Sequence, residues 1–188
     1  MRSFVAIELP AALRGELVRR VEELRRELPP ARWVPVENYH LTLLFLGEIS
    51  PSQEATLTAR LGDVFRRAAA FDLRLEGAGC FPPRGPARVA WVGLGEATAL
   101  LELHAEVSRV CRREVRLDGG KRRYRPHLTL ARCRRPWPRD AARRWRDGWS
   151  GHLGQTVTVR EGVLMESRLD PSGAVYHPRA RWALGETL

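Results

Sequence analysis

His40 and Thr42 stand two residues apart in the segment YHLTL, and His127 and Thr129 repeat the pairing in PHLTL. In an extended strand residues two apart share a face, so each copy offers one imidazole and one hydroxyl to a single surface and turns its leucines the other way. An isolated His-x-Thr is a common strand pattern. Two copies in corresponding places of a repeated pattern carry more, because packing the halves around a pseudo-twofold axis would bring both polar pairs to one cleft. There, one neutral imidazole can take a proton from water while a protonated partner delivers one to a leaving oxygen. A reference pKa of about 6.5 suits histidine to either role. The threonine hydroxyls can donate to the non-bridging oxygens of a phosphate held between the rings.

This chemistry needs no metal. His40 and His127 supply only two plausible ligands, with no adjoining carboxylate to complete a familiar set, so neither a metal nor a cofactor is expected. Arg132 follows the second motif and could complement phosphate charge. Five residues from His127, it falls on the opposite face under strict alternation, and only a bulge or the strand end would redirect it. No GxSxG nucleophile elbow is present, and His104, His152 and His177 lie in contexts that assign them no chemistry.

The elements that must hold these residues read twice in the same order. FVAIEL is strand-like, and Leu13, Leu17, Val21, Leu24 and Leu28 then recur at helical spacing until Pro29-Pro30. WVPVENYHLTLLFLG carries the first motif as a strand. Ser50-Pro51 opens a helix with the stripe Leu57, Leu61, Val64 and Ala68, and FDLRLEG is a strand. After GAGCFPPRGPA, a linker or long hairpin turn, come the strand RVAWVGL, a helix through Leu100, Leu103, Val107 and Val110, and the strand YRPHLTLAR. A short helix near Asp140 to Trp149 and the strand-like QTVTVREGVLMESRL close the second set. Strand, helix, motif strand, helix, strand thus occurs twice.

With 188 residues, 44% hydrophobic and 29% charged, the chain fits one compact soluble unit. No apolar run approaches the roughly 20 residues of a membrane span. Glu8 and Pro10 interrupt the apolar start, and a cytoplasmic monomer is expected. Cys80, Cys111 and Cys133 are unclustered and read as free thiols. A net charge of +10 favours an anionic partner such as nucleic acid, although only Lys121 is a lysine, an arginine bias that can arise from codon composition. The run from Arg112 to Arg125, bending at Gly119-Gly120, is either a solvated turn or a track for an RNA backbone.

WVPVENYHLTLLFLGEI and YRPHLTLAR resemble the paired HxT motifs of the 2H phosphoesterases, in particular the RNA 2′,3′-cyclic phosphodiesterases historically called 2′-5′ RNA ligases. FVAIELP, PARVAWVGL and LMESRLDPSGAVYHPRARWAL are similar to that branch in kind and order, so the likeness covers nearly the whole chain. The resemblance implies an α+β fold with two pseudo-symmetric lobes, antiparallel sheets lining a central cleft and helices outside. It also implies a single domain over residues 1–188, with lobes built approximately from the halves 1–78 and 86–188 and with strand exchange between them. The implied activity is metal-independent hydrolysis of an RNA terminal 2′,3′-cyclic phosphate to a 2′-phosphomonoester, with 2′-5′ ligation as a side activity. His40, Thr42, His127 and Thr129 would form the tetrad, with Arg132 as the arginine that follows the second motif. His127 is read as activating water and His40 as protonating the 3′ oxygen, the reversed assignment standing nearly level. Phe4 and Tyr124 are candidates for stacking on the terminal base, or else packing residues, and Arg122, Arg123 and Arg125 for contacting RNA. Alternatives are a phosphodiesterase for another small cyclic or 2′-5′-linked nucleotide, and a non-catalytic RNA-binding module.

Overall fold

The computed structural model describes residues 1–117, 123–171 and 173–185. Strand β1 (Arg2–Glu8) leads into helix α1 (Ala11–Leu24), the short strand β2 (Arg32–Trp33), a 3-10 turn over Val36–Asn38, and strand β3 (His40–Glu48). Helix α2 (Pro51–Arg67), strands β4 (Phe71–Phe81) and β5 (Ala87–Leu94), helix α3 (Thr98–Glu114) and strand β6 (His127–Trp137) follow. The chain ends through helix α4 (Arg139–Asp147) and strands β7 (Thr156–Val159), β8 (Glu161–Asp170) and β9 (Gly173–Ala183).

Among the described residues the strands run β7-β4-β5-β6-β3-β1-β8-β9, antiparallel throughout, with β2 added along β6. The two motif strands are neighbours at the centre, and the pairing between them is a single pair, Leu41 with Leu128. The curled sheet therefore falls into two four-strand lobes that separate on either side of that pair and leave a cleft between them. Each lobe mixes the sequence halves: β4, from the first, pairs with β5, while β8, from the second, pairs with β1.

The motif leucines explain why the strands sit where they do. Leu41, Leu43, Leu128 and Leu130 are buried in the main core with Leu17 and Val21 of α1, Leu57 and Leu61 of α2, Leu100 and Val107 of α3 and Trp145 of α4. Each fully buried leucine contributes about 1.5–3 kcal/mol relative to exposure. Helices thus cover one face of the sheet and the polar residues of the motifs occupy the other. Helix α2 starts as its sequence predicts, with Ser50 and Gln53 forming a capping box and Pro51 at the first position.

Parts of the strand pattern differ in extent from their sequence reading. The strand expected from Trp33 through the first motif is broken by the 3-10 turn, because β2 runs beside Ala131 and Arg132 of β6 and the chain must step away before β3 begins. Of the two readings of GAGCFPPRGPA the hairpin holds, but its strands reach further in than the segment suggests, since β4 continues to Phe81 in register with Val89. The single strand expected from Gln155 onward divides at Arg160, where β7 pairs with β4 and β8 with β1 and β9. None of the helices is long and apolar enough to cross a membrane, among the described residues.

Candidate active site

Both histidines are oriented by the same local device. The Nδ1 of His40 lies 2.7 Å from the carbonyl oxygen of Asn38, and the Nδ1 of His127 lies 2.7 Å from that of Arg125. A carbonyl only accepts, so each Nδ1 carries the proton that it donates and each neutral ring keeps its lone pair on Nε2. For His40 that Nε2 is 3.0 Å from the Thr42 hydroxyl, two residues along the same strand face. Extending the Leu41–Leu128 pairing by one residue each way sets His40 opposite Thr129 and Thr42 opposite His127. His40 and His127 thus lie diagonally across that pair, close enough for charge on His127 to act on His40.

Beyond each threonine the strand carries a bulge. Along β6, Thr129 pairs with Trp91 but Ala131 pairs with Ala90, so the register skips Leu130. Along β3, Thr42 pairs with Ala6 but Leu44 pairs with Val5, so it skips Leu43. A bulge exchanges the two faces for all residues after it. Leu130 and Ala131 are consequently both buried, and Arg132 emerges exposed on the face that carries His127 and Thr129. The redirection that the sequence required for Arg132 is present in the backbone.

Electrostatics follow from this crowding. Burial in the cleft wall pushes the His40 pKa from 6.5 down to about 4, against the Asn38 carbonyl, which favours the charged ring. The Arg132 guanidinium and His127 depress it further, and Glu8, opposite His40 on β1, acts against them. His127 is also lowered, first by burial and then by Arg132, while the Arg125 carbonyl opposes the change. One arginine thus disfavours a proton on both rings in the ligand-free protein.

Aromatic rings surround the histidines, and Phe4 and Tyr124 both sit in packed positions, the second of the two roles that their sequence allowed. Phe4 is only 3% exposed, with its ring centroid 4.9 Å from His40, 4.9 Å from Tyr176 and 5.9 Å from Phe45. It is a supporting residue under His40 and has no free face for a base, because β1 is a central strand flanked by β3 and β8. Tyr124 stacks on His104 of α3, with centroids 3.9 Å apart and planes 7° apart, and its hydroxyl donates to the Thr42 carbonyl oxygen at 2.9 Å. The ring is committed to joining the segment before β6 to β3. Arg123 and Arg125 are exposed, whereas Arg122 and the Gly119-Gly120 bend lie outside the described residues.

Sequence reasoning missed Asn38, which holds His40 through its backbone and reaches the Ala174 carbonyl oxygen at 2.8 Å through its side chain. It also missed Phe81, 5.0 Å from His127 in an edge-to-face arrangement, and Trp91, 6.2 Å from the same ring. Trp91 lies flat over Gly79, where a Cβ would come within 2.4 Å of the indole. The strand alternation of RVAWVGL puts Trp91 on one face, but only the pairing with Thr129 shows that this face belongs to the cleft. Among the described residues no group of three or more His, Cys, Asp or Glu side chains is arranged to hold a metal ion.

The sequence from residue 12 to 168 matches the profile of the 2′-5′ RNA ligase superfamily. The chain belongs to this superfamily. A relative from Thermus thermophilus, an RNA 2′,3′-cyclic phosphodiesterase, is 36% identical over 192 residues, covering 98% of this chain and 90% of that protein. The Escherichia coli protein of the same description is 30% identical, covering 97% and 96%. A Geobacillus stearothermophilus relative, 34% identical over 129 residues, is longer, and the match spans only 41% of it. Among solved structures, TT0787 of Thermus thermophilus superposes with a TM-score of 0.84 at 31% identity over the full length of both chains. Escherichia coli LigT complexed with 3′-AMP superposes at 0.75 and 29% identity, covering 97% of each chain. The two-lobed arrangement of antiparallel sheets with outer helices is therefore the fold of these neighbours.

Proposed function

We propose that this protein hydrolyses the 2′,3′-cyclic phosphate at an RNA end to a 2′-phosphomonoester, with His40 and His127 as the proton-transfer pair. The observation that carries the reading is the matched pair of imidazoles, each with Nδ1 anchored to a carbonyl two residues upstream, which leaves two Nε2 atoms to serve one phosphorus. The relatives described as RNA 2′,3′-cyclic phosphodiesterases support the substrate class.

Water attacks phosphorus and gives a proton to one neutral imidazole, while the P–O3′ bond breaks and the other ring, protonated, gives its proton to O3′. Phosphate remains on O2′ and no other atom is exchanged. Thr42 and Thr129 donate hydrogen bonds to the non-bridging oxygens, and Arg132 balances the charge that accumulates in the transition state. His40, depressed to about 4, starts neutral and accepts the proton of water. His127, lowered too but more open to solvent, is the ring whose protonation an arriving phosphate anion favours. This order is the reverse of the one preferred from sequence, and it rests on the deeper burial of His40. A 5′-hydroxyl taking the place of water would join ends 2′-5′ through the same transfers.

Incubating an RNA ending in a 2′,3′-cyclic phosphate with the protein in EDTA, and locating the product phosphate, tests the reading. A 2′-phosphate is expected. A 3′-phosphate, or turnover confined to other small cyclic nucleotides, would contradict it.

A further inference from the structure

The two lobes set different residues beside their histidines. The residue paired with His40 is Glu8 of β1, and the residue paired with His127 is Gly93 of β5. The positions are equivalent, because two residues earlier Ala6 pairs with Thr42 and Trp91 pairs with Thr129. Directly paired residues of neighbouring strands carry their side chains on one face, with Cβ atoms about 5 Å apart. Glu8 therefore shares the cleft face of β1 with Phe4 and Ala6, while Val5, Ile7 and Leu9 turn into the main core. The other lobe has no room for such a group. A Cβ on Gly93 would stand 2.8 Å from the Glu76 carbonyl oxygen and 3.1 Å from the Trp91 ring.

The Glu8 carboxylate is held where it stands. Arg181 of β9 donates to it and, at 2.7 Å, to Glu161 of β8. Arg14 of α1 and Arg160, between β7 and β8, line the cavity of about 400 Å³ beside this trio. Two carboxylates to one guanidinium leave the trio negative, and its member on the cleft face opposite His40 is Glu8. Around the His40 ring stand Phe4 of β1, the Tyr176 ring of β9 edge-to-face at 5.2 Å, and His127 and Arg132 of β6. Both groups from β6 oppose a positive charge on the ring, and Glu8 is the acidic group that favours one. On His127 the charged side chain that acts is Arg132, which opposes.

We infer that Glu8, held by Arg181, is a positioning residue for the reaction: its carboxylate is the counter-charge for the proton that His40 accepts from water. As that proton arrives the ring becomes an imidazolium, in a cleft wall where Arg132 repels it. A carboxylate fixed one strand away is in place before the charge forms and needs no reorganisation. His127 makes the opposite change, from charged to neutral as O3′ takes its proton, and a counter-charge there would hold the proton back. Gly93 leaves that side without one. Glutamate on one lobe and glycine on the other thus give a nearly symmetric cleft a direction for proton flow. The inference rests on the proposed function for the step that Glu8 assists.

Titration of both imidazole rings by NMR in the ligand-free parent, Glu8→Gln and Arg181→Gln, beside kcat/KM on RNA 2′,3′-cyclic phosphate ends, separates a counter-charge from damage to the strand. Glu8→Gln should lower the His40 midpoint by about half a pH unit and leave that of His127 in place. Arg181→Gln frees the carboxylate and should raise the His40 midpoint instead. Half a unit is about threefold in the stability of the charged ring, so kcat/KM at its optimum should fall by about threefold in Glu8→Gln. An unmoved His40 midpoint in Glu8→Gln overturns the inference, as does an equal shift of both rings or a shift of the same sign in the two variants. So does a moved midpoint in Glu8→Gln with the rate of an active parent. A parent that does not hydrolyse the RNA ends, while the midpoints move as expected, overturns the proposed function and leaves Glu8 as the counter-charge of His40.

Discussion

Placing a proton on His40 means charging a ring whose burial already holds it at about 4, and Arg132 stands against the same charge on His127. Both rings are therefore mostly neutral at pH 7 before substrate arrives. The pH profile of kcat/KM reports the free protein, in which one ring must be deprotonated and the other protonated. The expected profile is a bell on the acid side of neutrality, rising through about 4 as His40 loses its proton and falling below 6.5 as His127 loses its own. The limbs of kcat should lie at higher pH, because bound phosphate favours the charged rings. A profile of kcat/KM that stays flat from about pH 4 to 7 with chemistry limiting would contradict the paired titration. Arg132→Lys keeps the charge but loses the planar fork. It should reduce kcat/KM by about tenfold, measured at the pH optimum, and parental kinetics would remove Arg132 from the phosphate.

Strands β3 and β6 meet at one pair, so other contacts must fix their spacing. The Tyr124 hydroxyl on the Thr42 carbonyl oxygen is one of these, braced from behind by His104. Tyr124→Phe keeps the stacked ring and removes only that bond, worth about 0.5–1.5 kcal/mol. The expected result is a several-fold lower kcat with KM nearly unchanged; a KM effect alone would mean that Tyr124 touches substrate instead. At this scale much was legible beforehand. The helical stripes of α1, α2 and α3 and the polar face of each motif follow from spacing, and the stripes recur in the buried sets of their helices, except that α1 stops at Leu24, short of Leu28, and α2 stops at Arg67, short of Ala68. The bulges were not legible, because the residues they skip, Leu43 and Leu130, are ordinary core leucines whose extra place in the register shows only against β1 and β5. Strand β9 was equally hidden. Its run YHPRAR is charged and contains Pro178, which a strand at the end of a sheet tolerates. Which of its two roles Phe4 takes was not legible either, because neither the depth of β1 in the sheet nor the rings above it can be read from the segment FVAIEL.

Across the whole molecule the duplicated pattern yields two similar lobes, but the residues after the bulges, Phe45 and Arg132, make them unequal, and the chain carries a net charge of +10. Arg123 and Arg125 before β6 and Arg134 and Arg135 within it are exposed. If they follow an RNA backbone, each phosphate contact adds a little less than one unit to the slope of log affinity against log salt. KM for an RNA end of about ten nucleotides should then rise steeply between about 50 and 200 mM salt, while KM for a cyclic mononucleotide rises less. Identical slopes would confine recognition to the cleft. The central claim concerns the two imidazoles, and it is met most directly by single-turnover hydrolysis of an RNA 2′,3′-cyclic phosphate in EDTA by the parent, His40→Ala, His127→Ala and the double variant. Groups that act as one unit lose their effect together. Each single variant should therefore fall by roughly a thousandfold, with the double variant little slower than either. A single variant that retains near-parental turnover would contradict paired-histidine catalysis.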